Sequence, residues 1–308
     1  MKGAGTDEFA LCSYRIPEHC GRVLWQVTNL CNYQCPYCIF SSSPEKIPDE
    51  LTAQQALPVL EDLKRNEFSH IKFTGGEPFC KDDFMDLLIA AAERGFVIDV
   101  STNASRITEE RARTIASLDI SMVHVSVDGP DRETHEAARG PGTYAPTVRG
   151  LERLARNGVY VRVGTVLFDK NEHRIPEMAR AMAELGASEV IFSRMAAIGR
   201  LAGDTSSLAK AEDDELVRRV ETARAQYGHR LTVSHSLATT ARKHGRCPGY
   251  DRMLYIDNLG RVGPCAMLCE ANQRFLSEQT LATHSVNELL AKSHSIEERG
   301  RCLVGAYR

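Results

Sequence analysis

Six times in succession this chain alternates a short β-rich run with an amphipathic stretch, and that rhythm limits its fold more than any other feature. The strand-like runs lie near 23–28, 70–74, 97–102, 122–128, 160–168 and 189–194. The helix-like stretches lie near 52–65, 81–94, 108–117, 143–157, 173–185 and 210–227. Six β-α units in a row predict an α/β fold built on a parallel sheet. Thr52 with Gln55 forms a capping-box pattern, and Thr108 precedes Glu109 and Glu110, acids that favour a helix start. Pro58 falls inside the first helix and predicts a kink or a delayed start. In a β/α barrel the reactive groups project from the carboxyl ends of strands, so those ends are where chemistry is sought.

Directly after the first apolar run stands Cys31-Asn32-Tyr33-Gln34-Cys35-Pro36-Tyr37-Cys38, three thiols at CxxxCxxC spacing. A structural zinc site wants four closed ligands, whereas three cysteines in one tight loop hold a four-iron cluster and leave one iron open. The triplet alone also admits a group of reduced cysteines, or a zinc knuckle completed by a distant residue. The other strand ends carry Phe73-Thr74-Gly75-Gly76-Glu77-Pro78, Ser101-Thr102-Asn103 and Ser126-Val127-Asp128-Gly129.

The 308 residues, 43% hydrophobic and 26% charged, can bury one large core, or a large core plus a small annex. A net charge of −3 gives no electrostatic case for a nucleic-acid or membrane partner. The stretch Phe84 to Ala92 carries Asp86 and is too short to span a bilayer, and residues 1–8 hold no apolar signal region. A cytoplasmic location is expected. In a reducing compartment, ten cysteines point to metal more than to disulfides. They fall at 12, 20, 31, 35, 38 and 80, then at 247, 265, 269 and 302, as two metal sites at opposite ends would place them.

The cysteine triplet followed by the GGEP segment resembles the radical S-adenosylmethionine (radical SAM) enzymes, over residues 22 to 195. The resemblance implies a partial (β/α)6 TIM-like barrel, open on one side. It also implies a [4Fe–4S] cluster on Cys31, Cys35 and Cys38 that presents S-adenosylmethionine for reductive cleavage to a 5′-deoxyadenosyl radical. Flavodoxin or ferredoxin would supply the electron. In that family Gly75, Gly76 and Glu77 would meet the methionine moiety and Tyr37 the adenine, while Ser101, Asn103, Ser126 and Asp128 would bond ribose or carboxylate. Blander readings stand beside these: a βα turn for the glycines, a helix-terminal acid for Glu77, a core aromatic for Tyr37 and turn formers for the short polar residues. Cys80 reads as a small buried hydrophobe.

After residue 228 the rhythm stops, which divides the chain into a lead-in over 1–21, the barrel over 22–228 and an extension over 229–308. Cys247-Pro248-Gly249-Tyr250 precedes a hairpin-like run from Met253 to Cys265 that turns at Asn258-Leu259-Gly260. This resembles the opening of SPASM and twitch extensions and implies a second, auxiliary [4Fe–4S] cluster on Cys247, Cys265 and Cys302. Cys269 is a fourth ligand, a hydrogen-atom donor or a buried bystander, and a zinc hairpin is the alternative for the whole group. The architecture resembles that of enzymes oxidising an alcohol of a sugar or aminocyclitol. A peptide-modifying epimerase or crosslinking enzyme is the alternative, and a non-enzymatic zinc or iron–sulfur protein a third. The short segment before the first strand favours a small molecule over a peptide bound through a leader-recognition domain.

Overall fold

The computed structural model describes residues 21–237, 253–272 and 275–291. Its first six strands are β1 (Gly21–Gln26), β2 (Phe68–Thr74), β3 (Val97–Thr102), β4 (Met122–Ser126), β5 (Val161–Leu167) and β6 (Glu189–Arg194). Between and after them lie α1 (Ala53–Arg65), α2 (Phe84–Glu93), α3 (Glu109–Ser117), α4 (Arg132–Arg139), α5 (Tyr144–Arg156), α6 (Ile175–Glu184) and α7 (Asp213–Tyr227). The expected capping box forms at α1: Thr52 accepts from Gln55 N, and Gln55 Oε1 accepts from Thr52 N. Thr108 caps α3 in the same way through Arg111 N. Helix α1 starts on time and runs through Pro58.

Strands β1 to β6 pair in parallel, each with its successor. Two departures from the sequence reading follow. The rhythm continues past residue 228 with β7 (Thr232–His235), which is parallel to β6. A short, strongly polar helix, α4, also lies between β4 and α5. The extension then returns to the start of the chain. Strand β8 (Met253–Ile256) pairs in parallel with β1, and β9 (Val262–Gly263) folds back on β8 as the hairpin predicts. The result is one sheet in the order β7-β6-β5-β4-β3-β2-β1-β8-β9, an unclosed barrel whose edges are β7 and β9. Helices α8 (Ala266–Asn272) and α9 (Val286–Ala291) complete the described residues.

Right-handed crossovers between successive parallel strands put the helices on one face of such a sheet. That face is dry: Ile71, Phe73, Ile98, Val100, Val123, Val125, Val161, Val163, Val190 and Phe192 are all buried in one core. The alternate residues face the other way and are polar and partly exposed, among them Lys72, Ser101, His124, Ser126 and Arg162.

Candidate active site

The loop after β1 is held in shape by its own backbone. Cys31 N donates to Ser43 O at 2.8 Å, Cys38 N to Cys35 O at 3.2 Å and Ser41 N to Cys38 O at 3.2 Å. Glu50 fixes its entry, accepting from Thr28 Oγ1 at 2.7 Å and Asn29 N at 2.6 Å. A strap from the far side of the sheet holds the rest. In the 3-10 turn Gly199–Leu201, which follows β6, Arg200 N donates to Cys38 O at 3.0 Å. The Arg200 guanidinium reaches Cys35 O at 2.5 Å, and Ser42 O. Gly199 has φ +61°, and a Cβ there would sit 2.4 Å from both Cys38 O and Ile39 O, so only glycine permits this approach.

The glycines after β2 have an equally definite neighbour. Gly76 N donates to Thr28 O and Glu77 N to Leu30 O, each at 2.8 Å. A Cβ on Gly75 would meet Thr28 O at 2.5 Å, and one on Gly76 would meet Leu30 O at 2.3 Å. The close approach expected toward a methionine moiety is therefore made first toward the backbone that launches the cysteine loop. Glu77 is fully buried: Oε1 accepts from Thr102 Oγ1 at 2.7 Å and Phe79 N at 3.2 Å, and Oε2 from Asn103 N at 2.7 Å. Burial raises its pKa against these bonds. It caps the 3-10 turn Pro78–Cys80 and ties the end of β2 to the end of β3. Asn103 turns its amide toward Cys31 Sγ at 3.9 Å and Asn32 Oδ1 at 3.2 Å. Cys80 Sγ donates to the same Asn32 Oδ1 at 3.5 Å and is half-buried.

A second buried carboxylate stands behind the loop on the other side. Asp128 Oδ1 accepts from Val166 N at 2.8 Å, and Oδ2 accepts from Arg139 Nε at 2.6 Å and from Tyr37 OH. Arg139 lies with its guanidinium carbon 5.5 Å from the Tyr37 ring centre and Nη1 4.0 Å from Cys35 Sγ. Both carboxylates placed by sequence among the cofactor contacts, Glu77 and Asp128, are thus committed to protein donors. Tyr37 is tied to Asp128 through its hydroxyl while its ring stays at the loop. Ser101 and Ser126 are half-buried on the polar face, and neither hydroxyl bonds a described residue.

The donor set fits a four-iron cluster. Three thiols share one pinned loop, with an amide facing Cys31 and cations beside Cys35, which is the surrounding that thiolate ligands require. Without metal, burial pushes the Cys31 thiol up to about 12, so iron must displace a proton there. Among the described residues no three His, Cys, Asp or Glu side chains converge on a single ion, a convergence that a cluster offering one iron per thiolate does not need.

Of the second cysteine group, Cys247 and Cys302 lie outside the described residues, as do Cys12 and Cys20. Cys265 precedes α8, and Cys269 N donates to Cys265 O at 3.0 Å, one helical turn on. Cys269 is fully buried with Tyr255 and Ala266, and burial raises its pKa. Sequence reasoning missed Arg139, Arg200 and Asn32. Arg139 had one signal, a cation in the last turn of a helix that starts at Asp131.

A family model described as the radical SAM superfamily matches residues 25–182. Among curated relatives, the mycofactocin maturase MftC of Mycolicibacterium smegmatis is 34% identical over 165 residues, 53% of this chain and 42% of its own length. An AdoMet-dependent heme synthase of Oleidesulfovibrio alaskensis is 29% identical over 248 residues, 79% of this chain and 63% of its own. The chain thus spans about two fifths of the length of one and just under two thirds of the other. In solved structures the fold recurs in Streptococcus suis SuiB bound to S-adenosylmethionine, with TM-score 0.72 and 17% identity, covering 88% of this chain and 65% of that one. It recurs also in anSMEcpe with bound AdoMet, with TM-score 0.69 and 16% identity over 89% and 81%.

Proposed function

Because the chain belongs to the radical SAM superfamily, we propose that it is a peptide-modifying enzyme that activates an unreactive carbon by hydrogen-atom abstraction. The observation that carries this is shared by two solved structures of the same fold: SuiB is bound to precursor peptide SuiA and anSMEcpe to a peptide named Cp18Cys. The maturase relative agrees with it. Oxidation of a sugar or aminocyclitol alcohol, expected from architecture, has no counterpart among the relatives reported above. A second reading, a tetrapyrrole substrate, is favoured by the heme synthase match along 79% of the chain.

When bound, the cluster and S-adenosylmethionine supply reductive carbon–sulfur cleavage and the 5′-deoxyadenosyl radical. The protein's part is geometric. Cys31, Cys35 and Cys38 would hold the cluster, and Asn103 and Arg139 face the Sγ atoms of Cys31 and Cys35. Gly75 and Gly76 lock the loop, Arg200 straps it, and Tyr37 lies beside it for adenine. Ser101 and Ser126 offer open hydroxyls to ribose or carboxylate on the polar face. Cys247, Cys265 and Cys302 hold an auxiliary cluster, a role supported by their spacing, and reduced flavodoxin or ferredoxin delivers the electron.

The test is anaerobic reconstitution followed by reaction with S-adenosylmethionine and reductant. The reading expects 5′-deoxyadenosine formation that a short peptide stimulates, together with a mass change in that peptide. Stimulation by an aminocyclitol or a tetrapyrrole, and by no peptide, would transfer the assignment to that substrate.

A further inference from the structure

One residue, Asn29, closes the cysteine loop at its base. Its main-chain O accepts from Ser43 N at 3.4 Å and its Oδ1 from Ser42 Oγ at 3.0 Å, which joins the segment before Cys31 to the segment after Cys38. Two further bonds hold Asn29 itself. Its N donates to Glu50 Oε1 at 2.6 Å, and its Oδ1 also accepts from Gln26 Nε2 at 3.2 Å.

The C-terminal extension grips both of those partners. Asn258, in the turn between β8 and β9, donates from Nδ2 to Glu50 Oε1 at 3.0 Å, and its main-chain O accepts from Leu51 N at 3.0 Å. Tyr255 of β8 donates from its hydroxyl to Gln26 Oε1 at 2.5 Å, and Glu270 Oε1 of α8 lies 2.7 Å from the same hydroxyl. The Tyr255 ring also stacks on Phe40, two residues past Cys38, with centres 6.4 Å apart and planes 12° apart. These contacts join residues 208 and 229 positions apart in sequence, Glu50 with Asn258 and Gln26 with Tyr255. Gln26, Tyr255 and Asn258 are all buried, so breaking either bond leaves a polar group unmet away from water.

We propose that Asn258 and Tyr255 are positioning residues for the three cysteines, the extension ordering their loop by two routes, Asn258 through Glu50 and Tyr255 through Gln26 and Phe40. Gathering three thiols costs loop entropy, and ties that order the loop before iron arrives remove that cost from binding. The extension is thereby part of the cysteine site as well as a neighbour of it. The inference rests on the cysteine loop as the cluster site and is indifferent to which substrate the enzyme takes.

The test reads amide hydrogen exchange by mass spectrometry on the full-length, metal-free, reduced chain, over the segment 27–45. Asn258→Ala and Tyr255→Phe should each speed exchange there about fivefold, the weight of one buried hydrogen bond, with segments across β4 and β5 unchanged. Alkylation of Cys31, Cys35 and Cys38, mapped residue by residue, should quicken in parallel. A double-mutant cycle reads the route: in a Glu50→Ala background Asn258→Ala should add less than about twofold, while Tyr255→Phe keeps its full effect. Tyr255→Phe retains the ring and its stack on Phe40, and circular dichroism reports whether each variant is folded. Unchanged exchange over 27–45 in the Asn258→Ala/Tyr255→Phe double variant overturns the proposal. So does acceleration spread equally over β4 and β5, or a full effect of Asn258→Ala when Glu50 is already absent. An unsubstituted chain that shows the expected exchange pattern among its variants and takes up no iron would overturn the cluster assignment instead.

Discussion

Arg139 Nε lies 2.6 Å from Asp128 Oδ2 with Arg139 8% exposed and Asp128 fully buried, which puts a closed ion pair directly behind Cys35. Removing one partner strands the other charge in a dry place. Arg139→Gln and Asp128→Asn should each destabilise the chain by about 3–5 kcal/mol, measured by urea unfolding under anaerobic conditions. Arg139→Lys should rescue little, because an ammonium cannot reach Asp128, the Tyr37 ring and Cys35 together. Wild-type stability in either single variant would show the pair to be dispensable.

Cys31→Ala, Cys35→Ala and Cys38→Ala should each abolish 5′-deoxyadenosine formation, since each removes one of the three thiolates that would anchor a cluster with a single open iron. Undiminished product in any of the three would defeat the site assignment.

Gly76→Ala should act through the backbone that Gly76 packs on. Its new methyl would press 2.3 Å from Leu30 O, a backbone atom that cannot rotate away. A cost of about 1–3 kcal/mol is expected, together with poor iron retention, because the strained segment carries Cys31. Thermal melting and iron counting on the same preparation check both.

His135 supplies a pH signature. Burial, reinforced by Arg139, lowers its pKa from 6.5 to about 4. The unfolded chain therefore binds the proton first, so this contribution to stability is complete above pH 6.5 and is lost as pH falls toward 4. Across that window the loss should approach about 1.4 kcal/mol per pH unit. His135→Gln keeps an acceptor for Asp128 N, and the difference between its stability–pH curve and that of the wild type should isolate this slope. Parallel curves would reject it.

Full reconstitution should give about eight irons per chain, falling to about four in Cys247→Ala/Cys265→Ala. Cys269→Ala should lower the auxiliary share of that iron, as loss of a fourth ligand would, and full iron would instead make Cys269 a bystander packed with Tyr255. A plateau near four in the unsubstituted protein would remove the auxiliary cluster.

The strand–helix alternation was legible because each of the first six strands presents one face to a dry core, and that imposes a period on the residues. The capping box at Thr52 and the hairpin around Gly260 were legible for the same reason: their partners lie within a few residues. Strand β7 escaped because its four residues include Thr232, Ser234 and His235 and lack an apolar run. Arg200 left no pattern and Arg139 only its place in the last turn of a helix, since they act on Cys35 and Asp128, residues 165 and 11 positions away. Glu77 and Asp128 were expected from the resemblance to touch the cofactor, while the structure shows the internal donors that occupy them. Such partners are set by how strand ends converge, which no local spacing encodes.

The pairing of Trp25 with Ile256 has a consequence for synthesis on the ribosome. Strand β1 is made early, and β2 covers one of its sides soon afterward. Its other side waits for β8, more than two hundred residues later, which at about 5–20 residues per second is a delay of roughly 10–45 s. During that interval the strand that launches the cysteine loop is a bare edge, open to pairing with a neighbouring nascent chain. Yield during expression should therefore depend on translation speed through residues 27–252, a stretch remote from the contact it controls.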